Sequence, residues 1–266
     1  MGEIVEYTTD AGTTRAYLAV PASGSGPGIV VVQEWWGLVD HIRDVCDRFA
    51  AEDFLALAPD LYRGETTTEP DEATRKMQEV DVHTAALELA VGIGYVLQHP
   101  GCTSGTVGVV GYCMGGALAL IAGATATGKV GAVDSYYGVF WYGDPQFEPM
   151  TGPVVMRVGT NDEFISLERI EELAQLVREA GADVTVRTYE GAGHAFFNDS
   201  RPEAYRPEAA QAAWQETLEL FRTSLASREA YEPPHTLDDA VGGDVDEGPH
   251  SQARVEGARD RYNPLA

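Results

Sequence analysis

Thr106-Val107-Gly108-Val109-Val110-Gly111-Tyr112-Cys113-Met114-Gly115-Gly116-Ala117-Leu118-Ala119-Leu120-Ile121-Ala122 is the stretch that decides the fold. Its first third is a short apolar run rich in β-branched residues, which reads as a buried strand. Its last third is small and helix-forming. Between them the glycines of Gly111-Tyr112-Cys113-Met114-Gly115-Gly116 let neighbouring backbone pass close by, because they carry no Cβ. Strand, sharp turn and helix is the context of an elbow that lifts one side chain, in a strained conformation, at the strand's carboxyl end. Here that side chain is Cys113. Its thiol falls at a helix N-terminus, where the macrodipole favours a thiolate.

Working outward, the rest of the chain alternates strand and helix. Ile4 to Thr9 and Thr14 to Val20 read as two strands joined by a turn at Asp10-Ala11-Gly12. After the loop Pro21 to Pro27, Gly28 to Gln33 is a continuous apolar strand, as in a sheet covered on both faces. Asp40 stands as N-cap of a helix whose apolar face is Ile42, Val45, Cys46, Phe49 and Ala50. Leu55 to Ala58 is a short strand, and a long helical stretch runs from Asp71 to Gln98 with a break near Val80-Asp81. Beyond the elbow, strands are expected at Val130 to Tyr137, Pro153 to Gly159 and Asp183 to Tyr189, and helices at Leu167 to Ala180 and Glu208 to Leu225. The expected fold class is α/β, with a mostly parallel central sheet and helices on both faces.

The domain is expected to span residues 1–226. From residue 227 to 266, glycines and acids replace the apolar pattern, so that stretch reads as an acidic tail adding little core. The alternative is an arm docked on a partner subunit through Tyr231, Leu237 and Tyr262. The chain has 18 basic and 42 acidic residues, a formal net charge of -24, and only Lys76 and Lys129 as lysines. With no basic stripe, nucleic acid and anionic membranes are not expected partners. This composition points to a high-salt cytoplasm, or simply to an acidic soluble protein. There is no apolar run of the roughly 18 residues that a membrane span needs, and the N-terminus lacks the basic and apolar regions of a signal peptide. The three cysteines, Cys46, Cys102 and Cys113, have no metal spacing and fit a reducing compartment. Cys46 and Cys102 read as packing residues, and His83 as a surface or packing residue.

A thiol that attacks a carbonyl needs a base, an acid that orients the base, and donors for the developing oxyanion. Cys113, Asp162 and His194 stand in that chain order, Asp162 after one predicted strand and His194 after the last. Open α/β sheets place their sites along the edge where these residues fall. Glu163 is the nearest rival for the acid; Asp60 also ends a strand but precedes the cysteine.

At these residues the sequence resembles the dienelactone hydrolase (carboxymethylenebutenolidase-like) family over roughly residues 3–225. The resemblance is carried by Gln33-Glu34-Trp35-Trp36-Gly37, Ala58-Pro59-Asp60-Leu61-Tyr62, the elbow, Asp162 and Gly193-His194-Ala195-Phe196. It implies an α/β-hydrolase fold, a triad of Cys113, His194 and Asp162, and no metal or organic cofactor. It also implies a glutamate, Glu34, that sits against the resting thiol and accepts its proton as substrate binds. The fold's geometry gives the backbone N–H groups of Met114 and Trp35 as oxyanion donors. The substrate implied is a small-molecule ester or lactone, and the protein is expected to be a monomer or homodimer. Two substrate-binding arginines of the family are missing: Pro70 stands near the first position and Asn198 at the second, with Arg75, Arg201 and Arg206 as possible stand-ins. Trp36, Tyr137 and Phe164 are expected to wall the substrate pocket, beside Trp35. A general carboxylesterase or thioesterase on the same residues, and a non-enzymatic binding protein of the same fold, are the alternatives.

Overall fold

Valine-rich strands that bury both faces build the centre of this protein. The structure, a computed structural model, describes residues 2–9, 12–140, 145–225 and 227. The turn residues Asp10 and Ala11 lie outside the described residues, as does the expected tail apart from Ser227. The strands are β1 (Glu3–Thr9), β2 (Gly12–Ala19), β3 (Gly26–Val32), β4 (Leu55–Pro59), β5 (Cys102–Tyr112), β6 (Val130–Tyr136), β7 (Pro153–Gly159) and β8 (Asp183–Tyr189). They form one sheet in the order β1-β2-β4-β3-β5-β6-β7-β8. The β1–β2 and β2–β4 pairs are antiparallel; every pair from β4 through β8 is parallel.

The helices are α1 (Asp40–Ala51), α2 (Pro70–Glu79), α3 (Val82–Gln98), α4 (Met114–Thr125), α5 (Leu167–Glu179) and α6 (Pro207–Ser224). The pleat assigns them to faces. Gly28 lies opposite Val107 and Ile29 opposite Gly108. A Cβ on Gly28 would strike Val96 of α3, and one on Gly108 would strike Phe221 of α6. Successive residues of a strand point to opposite faces, so α3 and α6 cover opposite sides. Phe49 of α1 packs its ring on Trp214 and Phe221, which puts α1 beside α6. α4 packs on α3, and α5 lies on β7 and β8. Among the described residues no single helix is long and apolar enough to cross a membrane.

Two local expectations need correction. Asp40 does not cap α1: Val39 is the N-cap, with no side-chain hydrogen bond, and Asp40 is the first helical residue. Its carboxylate instead reaches Arg43 one turn on. β5 begins at Cys102 rather than Thr106, because the Ser104 hydroxyl accepts the Gly28 N–H at 2.9 Å and the polar start of the strand is thereby paired. The break in the long helical stretch falls at Val80, which is extended. Asp81 then caps α3 by accepting Thr84 N–H at 2.7 Å, and the two axes differ by 84°.

Candidate active site

The carboxyl ends of β3, β5, β7 and β8 bring the candidate residues together. Cys113 sits between β5 and α4 with φ 56° and ψ -118°, a conformation that L residues rarely adopt. The glycines around it explain how that strain is held. A Cβ on Gly111 would lie 1.9 Å from the Gly115 carbonyl oxygen, and one on Gly115 would lie 2.3 Å from that of Val32. Such backbone contacts leave no room for any side chain. The Cys113 N–H donates to the Tyr136 carbonyl at 3.0 Å, tying the elbow to β6. The thiol is buried at 6 % exposure.

His194 and Asp162 ride on two loops that are laced to each other. Asn161 N–H donates to the Ala192 carbonyl at 2.8 Å, Thr160 N–H to that of Tyr189 at 3.0 Å, and Gly191 N–H to the Thr160 hydroxyl at 2.8 Å. The Asp162 side chain is wholly buried. Its Oδ1 accepts the Phe164 and Ile165 N–H groups at 2.9 and 3.0 Å, and its Oδ2 meets His194 Nδ1 at 2.9 Å. Both carboxylate oxygens are therefore committed. With Nδ1 on Asp162, the imidazole keeps Nε2 for the Cys113 side chain, with which it hydrogen-bonds. Burial alone would make His194 less basic, but the Cys113 charge and the hydrogen bond to Asp162 outweigh it and push its pKa up to about 10. Tyr137 and Phe164 flank the imidazole, with ring centroids 5.0 and 5.1 Å away.

Glu34 comes just after β3 and is 1 % exposed. Its Oε2 accepts Asn198 Nδ2–H at 2.8 Å, while its Oε1 is buried with no hydrogen-bond partner. The Tyr137 hydroxyl is likewise buried and unpartnered. Burial raises the Tyr137 pKa well above its ordinary value, and the charges of Glu34 and Cys113 both add to the rise. Glu34 and Cys113 thus act on the same hydroxyl. Met114 is the first residue of α4, so its N–H has no partner within the helix. Neither it nor Trp35 N–H is spent on another backbone carbonyl among the described residues. Tyr62, from the Ala58-to-Tyr62 motif, places its hydroxyl 3.5 Å from Met114 Sδ.

The aromatic residues divide. Phe164 is 64 % exposed and lines a cavity of about 330 Å³ together with His194, Asn161, Glu163, Glu203 and Arg206. Trp36 packs edge-on against Trp35 at 4.9 Å and carries the Arg201 guanidinium over its ring at 5.5 Å. Tyr137 departs from the expectation of a pocket wall. Its side chain is fully buried, because β6 ends under the elbow and the ring packs among Tyr112, Tyr136 and Phe196. Its ring lies beside the imidazole instead. Of the three arginines weighed as stand-ins, Arg75 is paired with Glu79 on α2, Arg201 lies on Trp36, and only Arg206 lines the cavity. Asn198 does not face that cavity; it holds Glu34, a pairing across 164 residues that no local pattern reveals. Among the described residues no group of three or more His, Cys, Asp or Glu could hold a metal ion.

Residues 14–225 match the model of the dienelactone hydrolase family. The chain is 33 % identical to protein usf of Aquifex pyrophilus over 237 residues, covering 85 % of this chain and all of that protein. It is 32 % identical to the carboxymethylenebutenolidase of Pseudomonas sp. strain P51, covering 79 % of this chain and 90 % of the relative. The crystal structure of a dienelactone hydrolase from Anabaena variabilis shares the fold, with a TM-score of 0.65 at 20 % identity, covering 85 % of this chain and 98 % of that one.

Proposed function

Since the chain belongs to the dienelactone hydrolase family and is a hydrolase, we propose that it cleaves a small lactone or carboxylic ester with Cys113 as nucleophile. The observation that carries this reading is the chain of contacts from Cys113 through His194 to Asp162 at a strained elbow. The Cys113 thiolate attacks the carbonyl carbon, a C–S bond forms, and the carbonyl electron pair moves onto oxygen. The N–H groups of Met114 and Trp35 receive that oxyanion. On collapse the C–O bond breaks and the leaving oxygen takes its proton from the His194 imidazolium. In a lactone the leaving group stays tethered to the acyl chain.

The thioester is then hydrolysed. His194 takes a proton from water, the resulting hydroxide adds to the thioester carbon, and the C–S bond breaks to release the carboxylic acid and regenerate Cys113. Asp162 keeps the imidazole in the tautomer and orientation that both steps need. Glu34 sits against the resting thiol and accepts its proton as substrate binds. A carboxylate there opposes the thiolate in the free enzyme, which limits oxidation of the sulfur.

The test is hydrolysis of a panel containing a dienelactone, simple lactones and p-nitrophenyl esters of rising acyl length, at low and high KCl. Wild type is compared with Cys113→Ala, and intact mass is followed for a covalent acyl adduct. We expect turnover lost in Cys113→Ala and an adduct on Cys113 in wild type. Turnover that survives Cys113→Ala refutes the thiol mechanism. A preference that rises with acyl length moves the substrate class from lactones to general esters.

A further inference from the structure

We propose that Asn198 is the positioning residue that aims Glu34, and that it stands where it does for this purpose and not to bind substrate. The inference rests on the proposed role of Glu34 against the Cys113 thiol. Asn198 is 2 % exposed, so its polar atoms find their partners inside the protein. Its Oδ1 accepts both the N–H and the hydroxyl of Ser200, at 3.1 and 2.6 Å. Its Nδ2 donates to Glu34 Oε2 at 2.8 Å. Turning the amide over would set its NH2 against the Ser200 N–H and its oxygen against a carboxylate, so the orientation is fixed from both ends. The backbone is fixed too: Asn198 N–H donates to the Ala195 carbonyl at 2.9 Å, and Arg201 N–H donates to the Asn198 carbonyl at 3.1 Å.

One short segment, His194-Ala195-Phe196-Phe197-Asn198, therefore sets both the imidazole and the glutamate, and the same turn holds the base and the group against the thiol in register. Asn198 is also an uncharged donor. No Lys or Arg pairs with Glu34 among the described residues. A cation at this place would neutralise the carboxylate; an amide orients it and leaves its charge to act on its surroundings. With Oε2 held, Oε1 is the free oxygen, buried and unpartnered, and the Glu34 and Cys113 charges both act on the buried Tyr137 hydroxyl. Because neither end of the amide depends on a substrate group, the aim of Glu34 is present in the free enzyme.

The experiment reads the thiol directly. Wild type, Glu34→Gln, Asn198→Asp, Asn198→Ala and the double variants are alkylated with iodoacetamide at fixed pH, with peptide mapping to assign the label to Cys113. Melting temperature, kcat and KM are measured alongside. Asn198→Asp keeps the shape and the acceptor for Ser200 but sets a carboxylate against Glu34. We expect Glu34→Gln and both Asn198 variants to be alkylated about tenfold faster than wild type, the scale of a lost hydrogen bond to a charged group. Adding Asn198→Ala to Glu34→Gln should change the rate no further, and KM should move less than about twofold, the near-unchanged KM of a residue that does not bind substrate. Combining Glu34→Gln with Asn198→Asp keeps a donor facing an acceptor, so it should melt like wild type yet be alkylated like Glu34→Gln.

Asn198 variants alkylated at the wild-type rate while Glu34→Gln is faster would overturn the assignment and leave the Glu34 role standing. Additive effects of the two substitutions, or a change confined to KM, would also overturn it. If Glu34→Gln is itself alkylated at the wild-type rate, the Glu34 role fails and the inference falls with it.

Discussion

Replacing Arg157 with methionine should destabilise this protein more than any exposed ion-pair change, and its surroundings set the size of the loss. Arg157 lies in β7 at 1 % exposure. Its Nε and Nη2 donate to the two oxygens of Asp134 in β6 at 2.8 and 3.0 Å, and its Nη1 donates to Glu216 of α6 at 2.6 Å and to the Tyr189 hydroxyl at 2.5 Å. The guanidinium also lies over the Tyr136 ring. Burial pushes the Asp134 carboxyl above its ordinary value, and Arg157 pulls against that rise. Remove Arg157 and Asp134 stays fully buried, with the Thr217 hydroxyl at 2.7 Å as its one remaining side-chain donor among the described residues. Breaking a buried pair from one side costs about 3–5 kcal/mol, because an uncompensated charge is left behind. For a domain of this size that is a fall in Tm of about 6–20 °C. Urea and thermal unfolding followed by circular dichroism measure it. Glu216 is 46 % exposed and would be rescued by water, so Glu216→Gln serves as the control, with an expected cost under about 1 kcal/mol. The double variant Arg157→Met with Asp134→Leu should regain most of the loss, since an apolar pair of similar volume carries no desolvation penalty. A loss below about 1 kcal/mol in Arg157→Met, or a double variant no more stable than the single, refutes the reasoning.

Three further outcomes test the site. Asp162→Asn keeps an oxygen for the Phe164 and Ile165 N–H groups but loses the charge on His194; kcat should fall by about 10²–10⁴-fold with little change in melting, and a fall under threefold would refute the orienting role. With Cys113 ionised, the His194 pKa is pushed up to about 10 from an ordinary 6.5, so the contribution of its imidazolium to stability is full below about pH 6.5 and is lost as pH rises through about 10; Cys113→Ser removes the largest cause of that rise, and NMR titration should show the value falling back, whereas an unmoved titration contradicts the coupling of His194 to Cys113. Gly115→Ala drives a Cβ to within 2.3 Å of the Val32 carbonyl oxygen and should cost about 1–3 kcal/mol together with activity, while Gly94→Ala, in open space on α3, should leave both intact; equal behaviour of the two would show that the elbow yields.

Much of the architecture is legible because it rests on local pattern. β3 and β5 announce themselves as continuous apolar runs between turn residues, and the elbow as glycines around one thiol. The helix break at Val80 shows because Asp81 is a good cap for α3. The sequence hides pairing at a distance. Val39 in place of Asp40 as the cap of α1 depends on the path by which the chain leaves the Trp36–Gly37 turn, not on capping preference. Asn198 reads as the loss of an arginine until the fold lays it on Glu34. Tyr137 reads as a pocket wall because it is the last residue of an expected strand at the right edge; burial under the elbow comes from packing on Tyr112, Tyr136 and Phe196, residues drawn from three segments.

The two carboxylates of the site differ by the number of donors around them, and that difference fits the work proposed for each. Asp162 receives two backbone N–H groups on one oxygen and the imidazole on the other. Both of its oxygens are held by donors, which suits it to orient His194 in the proposed reaction. Glu34 receives a single amide N–H and keeps its second oxygen bare. In the proposed reaction that bare oxygen is the one available to take the proton of the thiol, while a carboxylate with both oxygens bonded would first have to break a hydrogen bond. The division arises from the turns themselves. The Asp162 turn presents N–H groups to its own carboxylate as it enters α5, whereas the turn that Glu34 opens is closed by Gly37 N–H on the Glu34 carbonyl, and the Glu34 carboxylate takes its one donor from Asn198. The segment that carries His194 supplies that donor, so the imidazole and the free oxygen of Glu34 are both set by where that segment lies against the elbow.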